Sequence, residues 1–196
     1  MKYCCQCGSP VRIGVPLGDD RSRHICDVCG VVHYHNPKVI VGCIPVWGDK
    51  VLLCRRAIEP RVGFWTLPAG FMELGENLQT AASREAMEEA NVEVEIDSLY
   101  NLFSLPHISQ VYVFFRARMV NESFSPGYES LETRLFEHGD IPWDDLAFET
   151  VRRSLAYFFS DREKGQFVMR MEDVEPFDPN PGQPDIMPAW AKKIEV

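Results

Sequence analysis

Three glutamates, Glu85, Glu88 and Glu89, lie within five residues of one another in a stretch, 70–92, that reads GFMELGENLQTAASREAMEEANV. With about 100° of helical rotation per residue they project within an arc of roughly 100°, so three carboxylates share one helix edge. Carboxylates are hard oxygen donors, and this edge is a ligand set for a divalent cation such as Mg2+ or Mn2+. A second group, of different chemistry, stands near the start of the chain: Cys4-x-x-Cys7-Gly8 and Cys26-x-x-Cys29-Gly30, with 18 residues between the two pairs. Four thiolates at this spacing are the soft donor set of a closed, tetrahedral structural Zn2+ site.

An acidic helix edge can also be a plain solvated face, and two features speak against that here. Glu89 falls in azimuth between Leu78 and Ala82, which are expected to begin the buried stripe, so it sits at the margin of the core. Like charges at i,i+3 and i,i+4 oppose a helix by roughly 0.2–0.5 kcal/mol per pair, and acids near its C-terminal end oppose its dipole. A cation is expected to offset both. Arg84, immediately before the acids, reads as the structural partner that fixes Glu76 or a neighbouring carboxylate. Among the other cysteines, Cys5 lacks the two-residue gap to Cys7 and reads as a bystander. Cys43 and Cys54 lie in apolar runs as small buried hydrophobes. His24 and His33 are surplus to a four-thiolate site.

The elements that position these groups follow from the pattern. Asn77 is a helix N-cap, and Asn91 tolerates the left-handed backbone that ends a helix. Residues 38–47 are apolar and β-branched, Gly48-Asp49 turns the chain, and 51–55 returns as a second strand. Residues 57–63 form a loop that leads through Phe64-Trp65-Thr66-Leu67-Pro68-Ala69 into Gly70. Further strands are expected at 92–104, 108–120 and 129–136, the last carrying ESLETRLF. A helix over 144–159 has apolar residues from Leu146 to Phe159 at helical spacing. The resulting organisation is a small N-terminal module over 1–36, a main domain over 37–162 and a proline-rich tail over 163–196, in which PFDPNPGQPDIMPAW is too rich in turn residues for a helix or sheet interior. The tail would be disordered or an extended arm on its own domain or a partner subunit.

Composition narrows the class. The 196 residues are 45% hydrophobic and 25% charged, enough apolar material for one core and a small satellite. A formal net charge of −9 leaves no broad counter-ion release term for nucleic acid. The first 36 residues carry four cations against three acids, a formal +1, a poor footprint for a nucleic-acid-binding regulator. Neither an apolar leader nor a run of 18 apolar residues is present, so a cytoplasmic, reducing location without membrane contact is expected, where clustered cysteines hold metal.

The spacing G-x5-E-x7-R-E-U-x-E-E-x-G-U, with U a bulky aliphatic residue, is met here by Gly70, Glu76, Arg84, Glu85, Glu88, Glu89 and Val92, and the chain resembles the Nudix hydrolases. Ala86 stands where a larger aliphatic residue is usual, and Asn91 stands where the last glycine is. The four-cysteine ribbon with HYHNPKVIVGCIPVW, RRAIEPRVGFWTLPAGFMELGE and IPWDDLAF is most similar to the bacterial relatives of plant plastid FAD and ADP-ribose pyrophosphatases. That resemblance implies an α/β/α sandwich around a mixed sheet preceded by a zinc ribbon, and a homodimer. It implies hydrolysis of a nucleoside diphosphate linked to another moiety, FAD or ADP-ribose preferred, with release of AMP. Glu85, Glu88 and Glu89 would be the main Mg2+ or Mn2+ ligands, with Glu76 and the Gly70 carbonyl as weaker ones.

Members often recruit a further acid, and Glu129 and Glu132 resemble an E-x-x-E stretch of the zinc-containing NADH pyrophosphatases; the alternative is that both face solvent on an edge strand. The S-Q-P-W-P-F-P-x-S stretch that marks those NADH enzymes is absent here. NADH pyrophosphatase activity and a non-enzymatic nucleotide sensor remain the competing readings. For an adenine or flavin ring, Trp65 and Phe71 are the expected wall, with Phe64, His107 and Tyr112 also available. Arg55, Arg56 and Arg61 could meet a phosphate.

Overall fold

The structure is a computed structural model and describes residues 1–175. It forms two compact units, Met1–Pro37 and the chain from Lys38 onward. In the first, β1 (Arg12–Gly14), β2 (Arg23–Ile25) and β3 (Val32–His33) make a small antiparallel sheet in that order. Its buried apolar residues are few, chiefly Cys4, Ile25 and Cys26, so this unit has little core of its own.

The second unit is built on β4 (Lys38–Trp47), β5 (Lys50–Arg56), β6 (Trp65–Thr66), β7 (Ala69–Phe71), β8 (Val94–Leu105), β9 (Gln110–Met119), β10 (Ser130–Phe136) and β11 (Arg170–Asp173), with helices α1 (Leu78–Ala90) and α2 (Glu149–Lys164). Among the described residues these strands form one mixed sheet, ordered β10-β5-β4-β9-β8-β11, with β6 on β5 and β7 on β4. β4 and β9 are parallel and β8 and β9 antiparallel. The near-continuous apolar runs of β4, β5 and β9 arise because both sheet faces are covered. Their alternation sorts the side chains: Ile44, Val51, Leu53 and Phe114 join Val151, Leu155, Phe158 and Phe159 of α2, whereas Val41, Cys43, Leu52, Cys54 and Phe115 join Ala81, Ala82, Ala86 and Ala90 of α1. The two helices therefore cover opposite faces, giving the expected sandwich.

Three local expectations change. Leu78 does not begin the buried stripe; it is exposed, and the stripe consists of the small residues Ala81, Ala82, Ala86 and Ala90. The second helix starts at Glu149, five residues later than the apolar periodicity indicates. Leu146 forms a bridge to Trp65 and the Ala147 N–H donates to the Trp65 carbonyl at 2.8 Å, so this backbone is spent on strand pairing before helix can form. The helix then runs through 162 to Lys164, and β11 beyond it adds a parallel strand to β8.

An ion pair holds that addition. Asp161, 2% exposed at its side chain, accepts from Arg170 at 2.6 and 2.7 Å, from the Tyr100 hydroxyl at 2.8 Å and from the Val168 N–H at 3.0 Å. Arg170 first, then the other donors, holds the Asp161 carboxyl well below the usual range. The proline-rich stretch 176–190 lies outside the described residues.

Candidate functional site

The acidic edge is carried by α1, whose ends are set by two asparagines. The Asn77 side chain caps the N-terminus by accepting from the Thr80 N–H at 2.9 Å. Asn91 ends the helix in the left-handed region (φ 45°, ψ 38°), with its N–H on the Met87 carbonyl. Between them Glu85 and Glu89 are buried, each about 7% exposed, and Glu88 is exposed.

Arg84 organises the edge. Its guanidinium forks onto both Glu76 oxygens at 2.7 and 3.1 Å, donates to Glu85 Oε1 at 2.7 Å and Glu88 Oε2 at 3.0 Å, and reaches the Phe71 carbonyl at 3.1 Å. Glu76 also accepts from the Glu73 N–H at 2.6 Å. Arg84 first and this N–H second lower the Glu76 pKa. Glu76 and Arg84 thus form the brace that the sequence suggests, tying the end of β7 at Phe71 to the helix. Gly70 itself fits by having no side chain: a Cβ there would lie 2.4–2.6 Å from the Glu85 carboxyl atoms. The Glu85 carboxylate rests directly against the strand backbone.

Burial raises the Glu85 pKa, opposed by its Arg84 hydrogen bond. For Glu89, burial first and the neighbouring Glu85 charge second push the value up to about 8, against the pull of Arg56 and the Ala69 N–H. Among the described residues Glu89 Oε2 has no hydrogen-bond partner although it is buried. A buried, unpaired carboxyl oxygen beside a second buried carboxyl costs free energy that a cation would offset. The donors are hard oxygens and one stands orphaned, so the set fits a divalent cation.

The cysteine cluster fits its metal differently. Cys4 and Cys29 sulfurs are 3.6 Å apart, Cys7 and Cys26 sulfurs 3.5 Å, and all four lie within 4.8 Å of one another. A tetrahedron of ~2.3 Å Zn–S bonds has edges of about 3.8 Å, and a disulfide would need about 2.05 Å. The two knuckles repeat one geometry: the Gly8 N–H bonds the Cys4 carbonyl and the Gly30 N–H the Cys26 carbonyl, both at 2.9 Å, with φ 74° at each glycine. Among the described residues this is the one group of three or more such donors gathered this tightly. The glutamates are not, because Arg84 holds Glu85 and Glu88 against its own guanidinium. Cys5 and His33 stand outside the cluster, 3.6 Å from each other. Cys43 and Cys54 are fully buried, and burial raises both thiols, as suits inert core residues.

The remaining sequence candidates divide. Glu129 lies just before β10 and is exposed, yet its charge reaches both Glu85 and Glu89 and raises them. Glu132 is on β10 and pairs with Arg55 at 3.8 Å, turned to another neighbour. Phe71 is half-exposed beside Gly70, with the Lys38 amine 5.0 Å from its ring centre. Trp65 is only 9% exposed and packs edge-on against Phe136 at 4.9 Å, inside the core.

Arg56, one of three arginines that the sequence leaves unranked, is a cation whose charge lowers both the Glu89 carboxyl and the Tyr112 hydroxyl against the effect of burial. It is held by the Pro60 carbonyl at 2.8 Å and by the ring of Phe148 at 5.2 Å. Phe148 gives no signal of its own, because the expected helix absorbs it.

The fold is a mixed sheet between two helices, and the first helix carries a carboxylate edge whose hard oxygen donors suit a divalent cation. Residues 36–161 match the family model described as NUDIX domain, and residues 2–35 match the zinc-ribbon model described as Nudix N-terminal; the chain belongs to the NUDIX family. A solved NUDIX hydrolase from Nitrosomonas europaea is 52% identical, covers 90% of this chain and 100% of its own, and superposes with a TM-score of 0.88. The NAD-capped RNA hydrolase NudC of Stutzerimonas stutzeri is 27% identical over 179 residues, 89% of this chain and 60% of the relative. An ADP-ribose pyrophosphatase of Methanocaldococcus jannaschii is 30% identical over 122 residues, 59% of this chain and 70% of the relative. The chain thus spans 60% of the length of the NudC relative.

Proposed function

We propose that this chain is a divalent-metal-dependent pyrophosphatase that hydrolyses a nucleoside diphosphate linked to another moiety and releases AMP, with FAD or ADP-ribose preferred. The observation that carries the reading is Glu89: a buried carboxyl with an orphaned oxygen, next to buried Glu85, on an edge braced by Arg84 and Glu76. Mg2+ or Mn2+ held by Glu85, Glu88 and Glu89, with Glu76 and the Gly70 carbonyl in support, would lower the pKa of a water and neutralise charge on the phosphoryl oxygens. The chain's own groups do the rest. Glu129 takes the proton from the attacking water, the water oxygen bonds to phosphorus, and the bridging P–O bond breaks with its electrons going to the departing phosphate. Arg56 faces the same charge and orients the diphosphate. Glu132, engaged with Arg55, is assigned no proton transfer.

Zn2+ on Cys4, Cys7, Cys26 and Cys29 holds the ribbon folded. The cytoplasm is the proposed compartment, because the ribbon needs reduced thiols. The homodimer rests on family resemblance alone. Among the described residues no helix is long and apolar enough to cross a membrane.

A second reading, NADH or an NAD-capped RNA end as substrate, is favoured by the NudC relative, whose similarity runs over 89% of this chain. One panel separates them: the full chain with Mg2+ or Mn2+ and FAD, ADP-ribose, NADH, diadenosine polyphosphates and an NAD-capped oligonucleotide, with products identified. Faster turnover of FAD or ADP-ribose supports the first reading, and preference for NADH or capped RNA the second. No AMP-containing product from any substrate would sink both.

A further inference from the structure

At the position where the family pattern has its last glycine, this chain has Asn91, and its side chain does something a glycine cannot. Its backbone takes the left-handed conformation that a glycine would take, so the helix stop is kept. Its amide Nδ2 then donates to the Ser125 and Pro126 carbonyls, each at 3.2 Å. Two backbone bonds run alongside, from the Ser125 N–H to the Ala90 carbonyl at 2.9 Å and from the Gly127 N–H to the Glu89 carbonyl at 3.0 Å. The loop 121–129 is thereby fastened to the end of α1 that carries the acidic edge. Contact is so close that a Cβ on Gly127 would lie 1.7 Å from the Glu88 carbonyl oxygen. Phe124 adds an apolar anchor under the loop.

Glu129 follows Gly127 by two residues. Its own carbonyl accepts from the Ala57 N–H at 2.8 Å, so the segment is pinned on both sides. Two residues span at most about 7 Å, which leaves the Glu129 backbone little freedom once Gly127 is docked. We propose that Asn91 is a positioning residue: through Ser125 and Pro126 it docks the loop that sets Glu129 against Glu85 and Glu89, and it thereby governs turnover without touching substrate. This rests on the role given to Glu129 above.

The test is a double-mutant cycle in the full chain, using the best substrate of the panel. Asn91→Gly keeps the left-handed stop and removes only the amide, and the backbone bonds and Phe124 keep the loop attached. It should lower kcat on the order of tenfold, with KM and the thermal midpoint near wild type. Glu129→Gln should lower kcat by roughly 10²-fold or more. In the Glu129→Gln background, Asn91→Gly should have no further effect, because both act on the same step. Asn91→Asp, which has the size but not the donors, should match Asn91→Gly. Full kcat in Asn91→Gly or Asn91→Asp would overturn the proposal, and so would effects that multiply in the double mutant. A silent Glu129→Gln in an active enzyme removes the acid Asn91 is said to position and overturns it too. Failure of the pyrophosphatase reading itself shows differently, as an inactive wild type.

Discussion

The cysteine cluster of the first unit and the glutamate edge of α1 are two candidate metal sites made by opposite means. In the ribbon, four donors are already gathered within 4.8 Å and almost no apolar core surrounds them. On α1 the core is complete, with Ala81, Ala82, Ala86 and Ala90 fully buried, but the donors are not gathered, and Glu85 and Glu88 are held by Arg84. In the first case the proposed metal would take the place of a core; in the second a complete core carries buried carboxylates whose desolvation the proposed cation would offset. A closed soft-ligand site is therefore expected to govern folding, and an open hard-ligand site to govern rate.

Metal removal tests the contrast most severely. Chelation of zinc, or Cys26→Ser, should unfold the segment up to Pro37, since structural zinc contributes on the order of 10 kcal/mol to such modules. Amide NMR of the full chain should show those signals collapse while signals from Lys38 onward stay dispersed. Retention of the ribbon signals would show a core that the burial pattern does not reveal.

Glu89→Gln probes the other site with a smaller but double effect. Turnover should fall by roughly 10²–10⁴-fold. The metal-free fold should meanwhile gain stability at high pH. A carboxyl raised from 4.5 to about 8 keeps its proton in the folded state and loses it on unfolding, so stability falls as pH rises between those values. For the wild type this decline should reach a few kcal/mol at most, since each tenfold difference in proton affinity between the two states is worth ~1.36 kcal/mol. Thermal melts from pH 5 to 8 should show a slope in the wild type that flattens in Glu89→Gln. Mg2+ should restore wild-type stability at pH 8 and leave the variant unmoved.

The smallest effect concerns the packing side of the comparison. Ala86 is fully buried against the sheet where the family usually has a larger aliphatic residue. Ala86→Leu should cost about 1–3 kcal/mol in denaturant melts, because a sealed layer has no room for three more carbons. An unchanged midpoint would show a void beneath the helix.

Much of the molecule is readable from local pattern. Strands β4, β5, β8, β9 and β10, the ends of α1 at Asn77 and Asn91, the knuckle glycines and the helix edge all depend on residues near in sequence, where propensity and periodicity act. Leu146 and Ala147 escape that logic because their helical spacing loses to a backbone bond with Trp65, 82 residues away along the chain from Ala147. Strand β11 escapes it because its reason, Asp161 with Arg170 and Tyr100, joins three separate elements. Trp65, expected at a ligand wall, is drawn into the core by Phe136 on another strand.

Ligand type and spacing are properties of the chain, so the two donor sets and their chemistry are already present in the order of the residues. Folding in three dimensions settles the rest: which acids are buried, that Glu89 keeps an oxygen without a partner among the described residues, and that Asn91 reaches across to the loop before Glu129. Those are consequences of desolvation and of contacts between distant segments, which no local spacing encodes.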